Sequence, residues 1–370
     1  MINADNTRSF PTPYSSLRRL QALLSENNWD ALLLTSPAGR RYATGFTSSA
    51  GMVLVTRDAG FLYTDSRYIE AARARAAGFT VELIEREQKY QEQVGARLSA
   101  YGVRTLGFEQ GVMTVSQFRT LGKAWPDAAF CPAQSALNAL RMVKTDEEIA
   151  RMRAAQHVAE TAYNALLPMI RTGLTEKQVR AELIYQMYLA GADGLSFDPI
   201  VVSGPNTALP HGEATGRVLQ PGDFLLMDFG VIFQGYCSDT TRTAALGHVT
   251  EEMRRVYDVV LCAQLAGIAA ARAGVMGAGI HKAAADVIAD AGYGAYFGHG
   301  FGHGIGLEVH ESGGAAPSAA KTPLPAGTVL SAEPGIYLPG RFGVRIEDVI
   351  VLRENGCENL TGLSKELLVL

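Results

Sequence analysis

Over roughly the first third of the chain, apolar positions alternate between two periods. YSSLRRLQALLSENN has helical spacing, DALLLTS is a short continuous apolar run of strand length, and MVLVTRDAGFLYTD reads as two strands turning at Asp58, Ala59 and Gly60. Helical RYIEAARARAAG, strand TVELIE, helical YQEQVGARLSAYG, strand TLGFEQ, helical VSQFRTLGKAW and strand AAFCPA follow. This alternation predicts a small α/β domain with a mixed sheet. The texture changes at VKTDEEIARMRAAQHVAETAYNALLPMIRTG, where Thr145 and Glu148 have capping-box spacing and a long helical period follows. Thr175 and Gln178 repeat the device at the start of LTEKQVRAELIYQMYLAG. The boundary is placed just before the first of these helices, giving domains 1–140 and 141–370. From residue 195 onward strands and glycines dominate, interrupted by helical stretches at 250–273 and 278–291.

The length of 370 residues exceeds the usual size of a single hydrophobic core and agrees with two domains. A 47% apolar fraction with 19% charged residues is that of a soluble globular protein, and a net charge of −4 gives no electrostatic reason to expect nucleic acid or an anionic membrane as partner. Cys131, Cys237, Cys262 and Cys357 form no CxxC pair, which argues against a zinc knuckle, a redox motif or a disulfide framework. The opening MINADNTRSFPTPYSS has neither a basic nor an apolar leader region, and no apolar run approaches the ~18 residues of a membrane span. These features predict a cytoplasmic protein.

Two segments concentrate acidic residues on apolar strands. In FLLMDFGVIFQGYCSDTTRTA a hairpin centred between Phe233 and Gln234 would set Asp228 opposite Asp239. In VLSAEPGIYLPGRFGVRIEDVIV a hairpin centred on Gly340 would set Glu333 opposite Glu347. Opposed side chains have Cβ atoms about 4.5–5.5 Å apart, where like charges are destabilising unless neutralised. Acidic residues on hairpins ordinarily face solvent, but the flanks FLLM and VLSA are apolar and the arrangement occurs twice. Four carboxylates on largely buried strands need positive charge nearby, which divalent metal ions supply. Hard oxygen ligands suit manganese, magnesium or calcium, and an added imidazole brings manganese, cobalt, iron or zinc into range.

Three of the seven histidines, His299, His303 and His310, stand together in GHGFGHGIGLEVHE. The interleaved glycines disfavour a helix, each costing about 1 kcal/mol relative to Ala. In an extended strand His299 and His303 would lie about 13 Å apart, so a division of labour is expected rather than joint binding of one ion. The glycines are suited to close approach of other segments to this backbone. His157, His248 and His281 sit in helical or turn contexts and read as structural, as do Trp29 and Trp125. The Asp65–Tyr68 run reads as a helix start.

The segments MDFGVIFQGYCSDTTRT, GHGFGHGIGLEVHE, SAEPGIY and GVRIEDV resemble the signatures of the pita-bread metallopeptidases, in their proline-specific branch of Xaa-Pro aminopeptidases and prolidases. The N-terminal part with YTDSRY resembles the creatinase-type domain, so the likeness spans essentially the whole chain. It implies an N-terminal creatinase-like α/β domain with a mixed sheet and a C-terminal α+β pita-bread catalytic domain. By motif, Asp228 would bind one ion, Asp239 and Glu347 would bridge two, and His303 with Glu333 would complete the second. The resemblance implies two divalent ions per chain, manganese foremost with cobalt or zinc as alternatives, and a bridging water or hydroxide as nucleophile. His211, His299 and His310 fall at substrate-binding and proton-managing positions, Tyr337 and Arg345 at substrate-contacting or ligand-supporting ones, and Glu333 would also shuttle a proton. A homodimer acting on peptides with proline second is implied.

Within that family, the archaeal prolidase pattern has an arginine four residues after the histidine of VHE, where this chain has Gly314. ESGGAAPSAAKTPLPAG offers only Lys321 as a cation for a dipeptide's carboxylate. The expectation is therefore an Xaa-Pro aminopeptidase, with a prolidase as the alternative and a non-catalytic peptide-binding module as a third reading.

Overall fold

The computed structural model describes residues 13–85, 89–319 and 321–370. The first twelve residues of the opening stretch, and Ala320, lie outside them. The chain divides into two compact units, Met1–Leu140 and Arg141–Leu370.

In the first unit six strands, β1 (Ala31–Leu34), β2 (Met52–Thr56), β3 (Gly60–Thr64), β4 (Thr80–Leu83), β5 (Thr105–Phe108) and β6 (Ala129–Pro132), form one sheet in the order β4-β3-β2-β1-β5-β6. The sheet is mixed: β1 runs antiparallel to β2 and parallel to β5. The intervening helices are α1 (Pro13–Asn27), α2 (Pro37–Thr44), α3 (Ile69–Arg75), α4 (Tyr90–Ala100), α5 (Val115–Ala124) and α6 (Gln134–Met142). Leu33, Leu54, Tyr63 and Leu106 from the strands pack with Val94, Leu98, Leu121 and Trp125 from the helix side into one core. Each such large apolar side chain contributes about 1.5–3 kcal/mol on burial. Trp125 also donates its indole N–H to Gln91 O at 2.8 Å, so it both packs and ties α4 to the end of α5. The sequence pattern did not reveal α2, whose Ser36 cap and Pro37 start a helix too short to show a period.

The second unit opens with α7 (Asp146–Leu166) and α8 (Glu176–Leu189), and both expected capping boxes, Thr145 with Glu148 and Thr175 with Gln178, are formed. Their apolar faces, including Ala159, Tyr163, Leu183 and Met187, pack against Val201, Leu225, Met227 and Phe229. A second helix pair, α9 (Glu251–Ala270) and α10 (Gly277–Asp290), covers Phe301, Leu330, Ile336, Ile350 and Leu352. The strands are β7 (Gly194–Leu195), β8 (Ile200–Ser203), β9 (Phe224–Phe229), β10 (Val231–Phe233), β11 (Tyr236–Cys237), β12 (Thr240–Ala245), β13 (Gly302–Gly304), β14 (Glu311–Ala315), β15 (Val329–Ala332), β16 (Gly335–Leu338), β17 (Phe342–Arg345), β18 (Asp348–Arg353) and β19 (Gly356–Asn359). They make a sheet β14-β13-β15-β18-β19, two three-stranded sheets, β12-β9-β8 and β11-β10-β7, and the ribbon β16-β17. Among the described residues no helix is long and apolar enough to cross a membrane.

The register of the second acidic hairpin is the expected one. Ala332 pairs with Asp348 and Gly335 with Arg345, so Glu333 and Glu347 fall opposite each other in the gap between two ladders of common register. There the backbone parts: Glu333 N donates to Phe301 O at 2.7 Å and Glu347 N to Thr241 O at 3.1 Å. The first hairpin differs from expectation. Thr241, not Asp239, pairs with Asp228, because the turn lies at Gln234 and Gly235, with φ of 47° and 89°. Positive φ at both central residues is what a two-residue hairpin turn of the favoured twist requires. The shift is two residues rather than one, so Asp239 keeps the same face of the ribbon as Asp228 and stands diagonal to it.

Candidate metal centre

Strand periodicity places the acids. Along β9, Leu225, Met227 and Phe229 face the α7–α8 core, which turns Asp228 to the opposite face. There it lines a cavity of ≈ 1020 Å³ together with Asp239, His303, Glu333 and Glu347. His211, His299, His310, Tyr337 and Arg345 line the same cavity, so all ten residues singled out from the sequence converge. His157, His248 and His281 are not among its lining residues.

Three of the ten form a compact cluster: Asp239, His303 and Glu347 each offer a ligand atom, and these lie within 4.8 Å of one another. His303 Nε2 is 3.5 Å from Asp239 Oδ2 and 3.3 Å from Glu333 Oε1. The other ring nitrogen, Nδ1, lies 3.1 Å from Gly304 O, so an Nδ1–H donor there leaves Nε2 as the atom that faces the acids. Gly302 and Gly304 make this possible, since a Cβ on either would sit about 2 Å from the carbonyl oxygen of Ser331 or Ser312.

The carboxylates are incompletely satisfied. Thr241 Oγ1 donates to Glu347 Oε2 at 2.7 Å, and Arg345 Nη2 donates to Asp228 Oδ2 at 2.6 Å. Glu347 Oε1 and Asp228 Oδ1 are buried without a hydrogen-bond partner. Burial raises the pKa of Asp228, pushes Asp239 up to about 7 and lifts Glu347 well above the usual range, the neighbouring carboxylates adding to the effect. Burial works against a charged His303, but the Asp239 hydrogen bond and the Glu333 and Asp239 charges outweigh it and raise its pKa to about 9. Buried, orphaned acidic oxygens beside an imidazole nitrogen that becomes a ligand on losing its proton fit divalent cations of the borderline class.

A second network runs behind the acids. Arg345 Nη1 donates to Tyr337 Oη at 2.8 Å, and Tyr337 Oη lies 2.9 Å from His299 Nε2. With His299 Nδ1 bonded to Gly300 O at 2.8 Å, the tyrosine hydroxyl donates to Nε2. Burial pushes the Tyr337 hydroxyl up to about 12 and lowers the His299 pKa. Thus His299 belongs to the tyrosine–arginine network and His303 to the acids. His310 reaches the cavity from the loop after β13, its ring centroid 4.2 Å from that of His303.

Two hydroxyls of the site were not singled out from the sequence. Thr241 accepts from Arg345 Nε at 3.1 Å while donating to Glu347. Ser331 accepts from His303 N at 3.0 Å and donates to Glu333 Oε1 at 2.9 Å. Each stands two residues from an acid, on the same strand face, and that spacing was the available signal. Phe197, Ile200, Tyr296, Val309 and Pro339 add an apolar wall.

Comparison with known proteins places this geometry. Residues 150–354 match the family described as metallopeptidase family M24, and residues 17–143 match the creatinase/prolidase N-terminal domain. An Xaa-Pro dipeptidase of Lactobacillus delbrueckii subsp. lactis is 37% identical over 96% of this chain and 99% of its own length. Among solved structures, an Xaa-Pro dipeptidase from Bacillus anthracis superposes with a TM-score of 0.91 at 40% identity, covering 97% of this chain and all of that one. An X-Pro aminopeptidase from Thermotoga maritima gives 0.89 at 37%, covering 94% and 99%. With both units matched and relatives aligned nearly end to end, this chain belongs to metallopeptidase family M24 and carries the creatinase/prolidase N-terminal domain.

Proposed function

We propose that the protein is an Xaa-Pro dipeptidase dependent on two divalent ions, manganese foremost. The observation that carries this reading is the convergence of Asp228, Asp239, His303, Glu333 and Glu347 on one cavity, two of them with buried oxygens that lack a partner. The relatives named Xaa-Pro dipeptidase favour this over the aminopeptidase expected from the sequence. Asp228, Asp239, His303, Glu333 and Glu347 would hold the ions, which supply positive charge to acidify a water and polarise the scissile carbonyl. Around them, His310 lines the cavity and would donate a hydrogen bond to a substrate carbonyl oxygen, while His299, its ring nitrogens engaged by Gly300 O and Tyr337, would shape the wall beside it. Glu333 would also carry a proton to the leaving nitrogen. A proline amide has no N–H, so the site must recognise the ring, and Phe197, Ile200, Val309 and Pro339 offer apolar surface for it.

A specific observation favours a second reading, cleavage of longer Xaa-Pro peptides. Histidines aside, Arg345 is the one cation among the described residues lining the cavity, and it is committed to Asp228 and Tyr337. A free proline carboxylate therefore has no uncommitted arginine or lysine partner among the described residues of that lining. Hydrolysis of matched Xaa-Pro and Xaa-Pro-Xaa peptides with added manganese, cobalt or zinc decides between them. Preferential turnover of the dipeptide is expected. Preferential release of the first residue from the longer peptide selects the aminopeptidase, and turnover of neither sinks both readings.

A further inference from the structure

The cavity is bordered by a loop whose two ends are held by one side chain remote from the acids. Glu176, the first residue of α8, is fully buried. Its Oε1 accepts from Ser203 N at 2.7 Å, Ser203 Oγ at 2.8 Å and Asn206 Nδ2 at 3.0 Å. Its Oε2 accepts from Thr215 N at 2.8 Å and Thr215 Oγ1 at 2.6 Å. Ser203 and Thr215 are the two stems of the segment that presents Pro210 and His211 to the cavity. The Glu176 backbone N–H adds a bond to Arg217 O at 3.1 Å.

This arrangement needs a carboxylate. Both oxygens accept, and every partner is a donor. An amide would turn an NH₂ toward either the Ser203 or the Thr215 N–H and leave a buried donor unpaired. Arg217 Nη1 donates to Ser203 Oγ at 2.7 Å, which directs the serine proton to Glu176. A buried charge with no direct cationic contact among these bonds is a costly way to close an ordinary surface loop. The segment it closes also meets the catalytic wall: Thr207 Oγ1 accepts from Gly343 N at 2.7 Å, and Pro210 O from Arg345 Nη1 at 3.3 Å.

We propose that Glu176 is a positioning residue for His211: by stapling both stems it fixes where that imidazole meets the peptide. The inference rests on the reading of His211 as a substrate contact. Its test is a double-mutant cycle on the metal-loaded full chain, with the better of the two peptide classes as substrate. H211A is expected to raise KM about tenfold, the scale of one hydrogen bond to substrate. E176Q should raise KM by a similar factor with bound metal unchanged, and E176Q/H211A should be no worse than H211A. Multiplying effects in the double variant, or an unaltered KM in E176Q, overturn the proposal while leaving the substrate-contact reading intact. A silent H211A overturns that reading itself, and with it the proposal. Should E176Q fail to fold, T215V removes a single donor from the same staple, and its cycle with H211A must show the same non-additivity.

Discussion

Two oxygens, Asp228 Oδ1 and Glu347 Oε1, are buried without a partner, and the other oxygen of each carboxyl group is held by one side chain, Arg345 for Asp228 and Thr241 for Glu347. Thr241 holds Glu347 by its other oxygen. Replacing it with valine keeps the shape and deletes the hydrogen bond. Because partners that orient a ligand typically contribute 10–100-fold to metal affinity, T241V should weaken manganese binding by about that factor. Competition with a chromophoric chelator measures this, and an unchanged affinity would mean that Thr241 does not orient Glu347. At this scale the acids and histidines were legible because charge on apolar strands is conspicuous. The different partners of His299 and His303 agree with the division of labour expected from glycine-spaced extended chain. Thr241 and Ser331 were not legible: hydroxyls are common in strands, and only the folded register shows which of them meets a carboxylate.

At the scale of elements, the site depends on two ribbons whose registers were read with unequal success. The turn at Pro339, Gly340 and Arg341 advertises itself, and the pairing of β15 with β18 and β16 with β17 follows from it. The other turn hides its first residue. Gln234 adopts a positive φ unusual for its type, held in part by donation from its N–H to Asp193 Oδ2 at 2.8 Å. Its partner Gly235 carries the conformation more cheaply, and a Cβ there would be strained. G235A should therefore cost about 1–3 kcal/mol in urea unfolding. An unaffected midpoint would show that the turn relaxes to another form. A one-residue deletion in such a turn would be worse, since it sends every later side chain of the strand to the opposite face. Helix α2 escaped the pattern for a related reason: eight residues give too few turns to show a period.

For the whole molecule, the site couples stability to pH and to metal. Asp228, Asp239 and Glu347 have folded-state pKa values above their unfolded ones, so the metal-free native chain binds the extra protons. Its stability from these groups falls as pH rises above the ordinary carboxylate range of about 4, through about 7 in the case of Asp239. His303, raised to about 9, adds stability that is fully present below about 6.5 and lost as pH climbs through 9. Elsewhere burial opposes ionisation of Asp348, but Arg242 and Lys365 hold it below the ordinary range, so its contribution is lost only on acidification below about 4. Bound cations demand deprotonated ligands, and the loaded protein follows the reverse slope. The gap in melting temperature between manganese-loaded and chelated protein should widen from about pH 5 to about pH 8. A constant gap would contradict the placement of the ions among these acids. The parting of the backbone at Glu333 and Glu347 has one more consequence. Glu333 is moored to the histidine-bearing strand through Phe301, and Glu347 to the aspartate-bearing strand through Thr241. Their spacing is thus a joint between two beams rather than the span of one turn, free to be retuned by repacking the joint while each beam stays as it is.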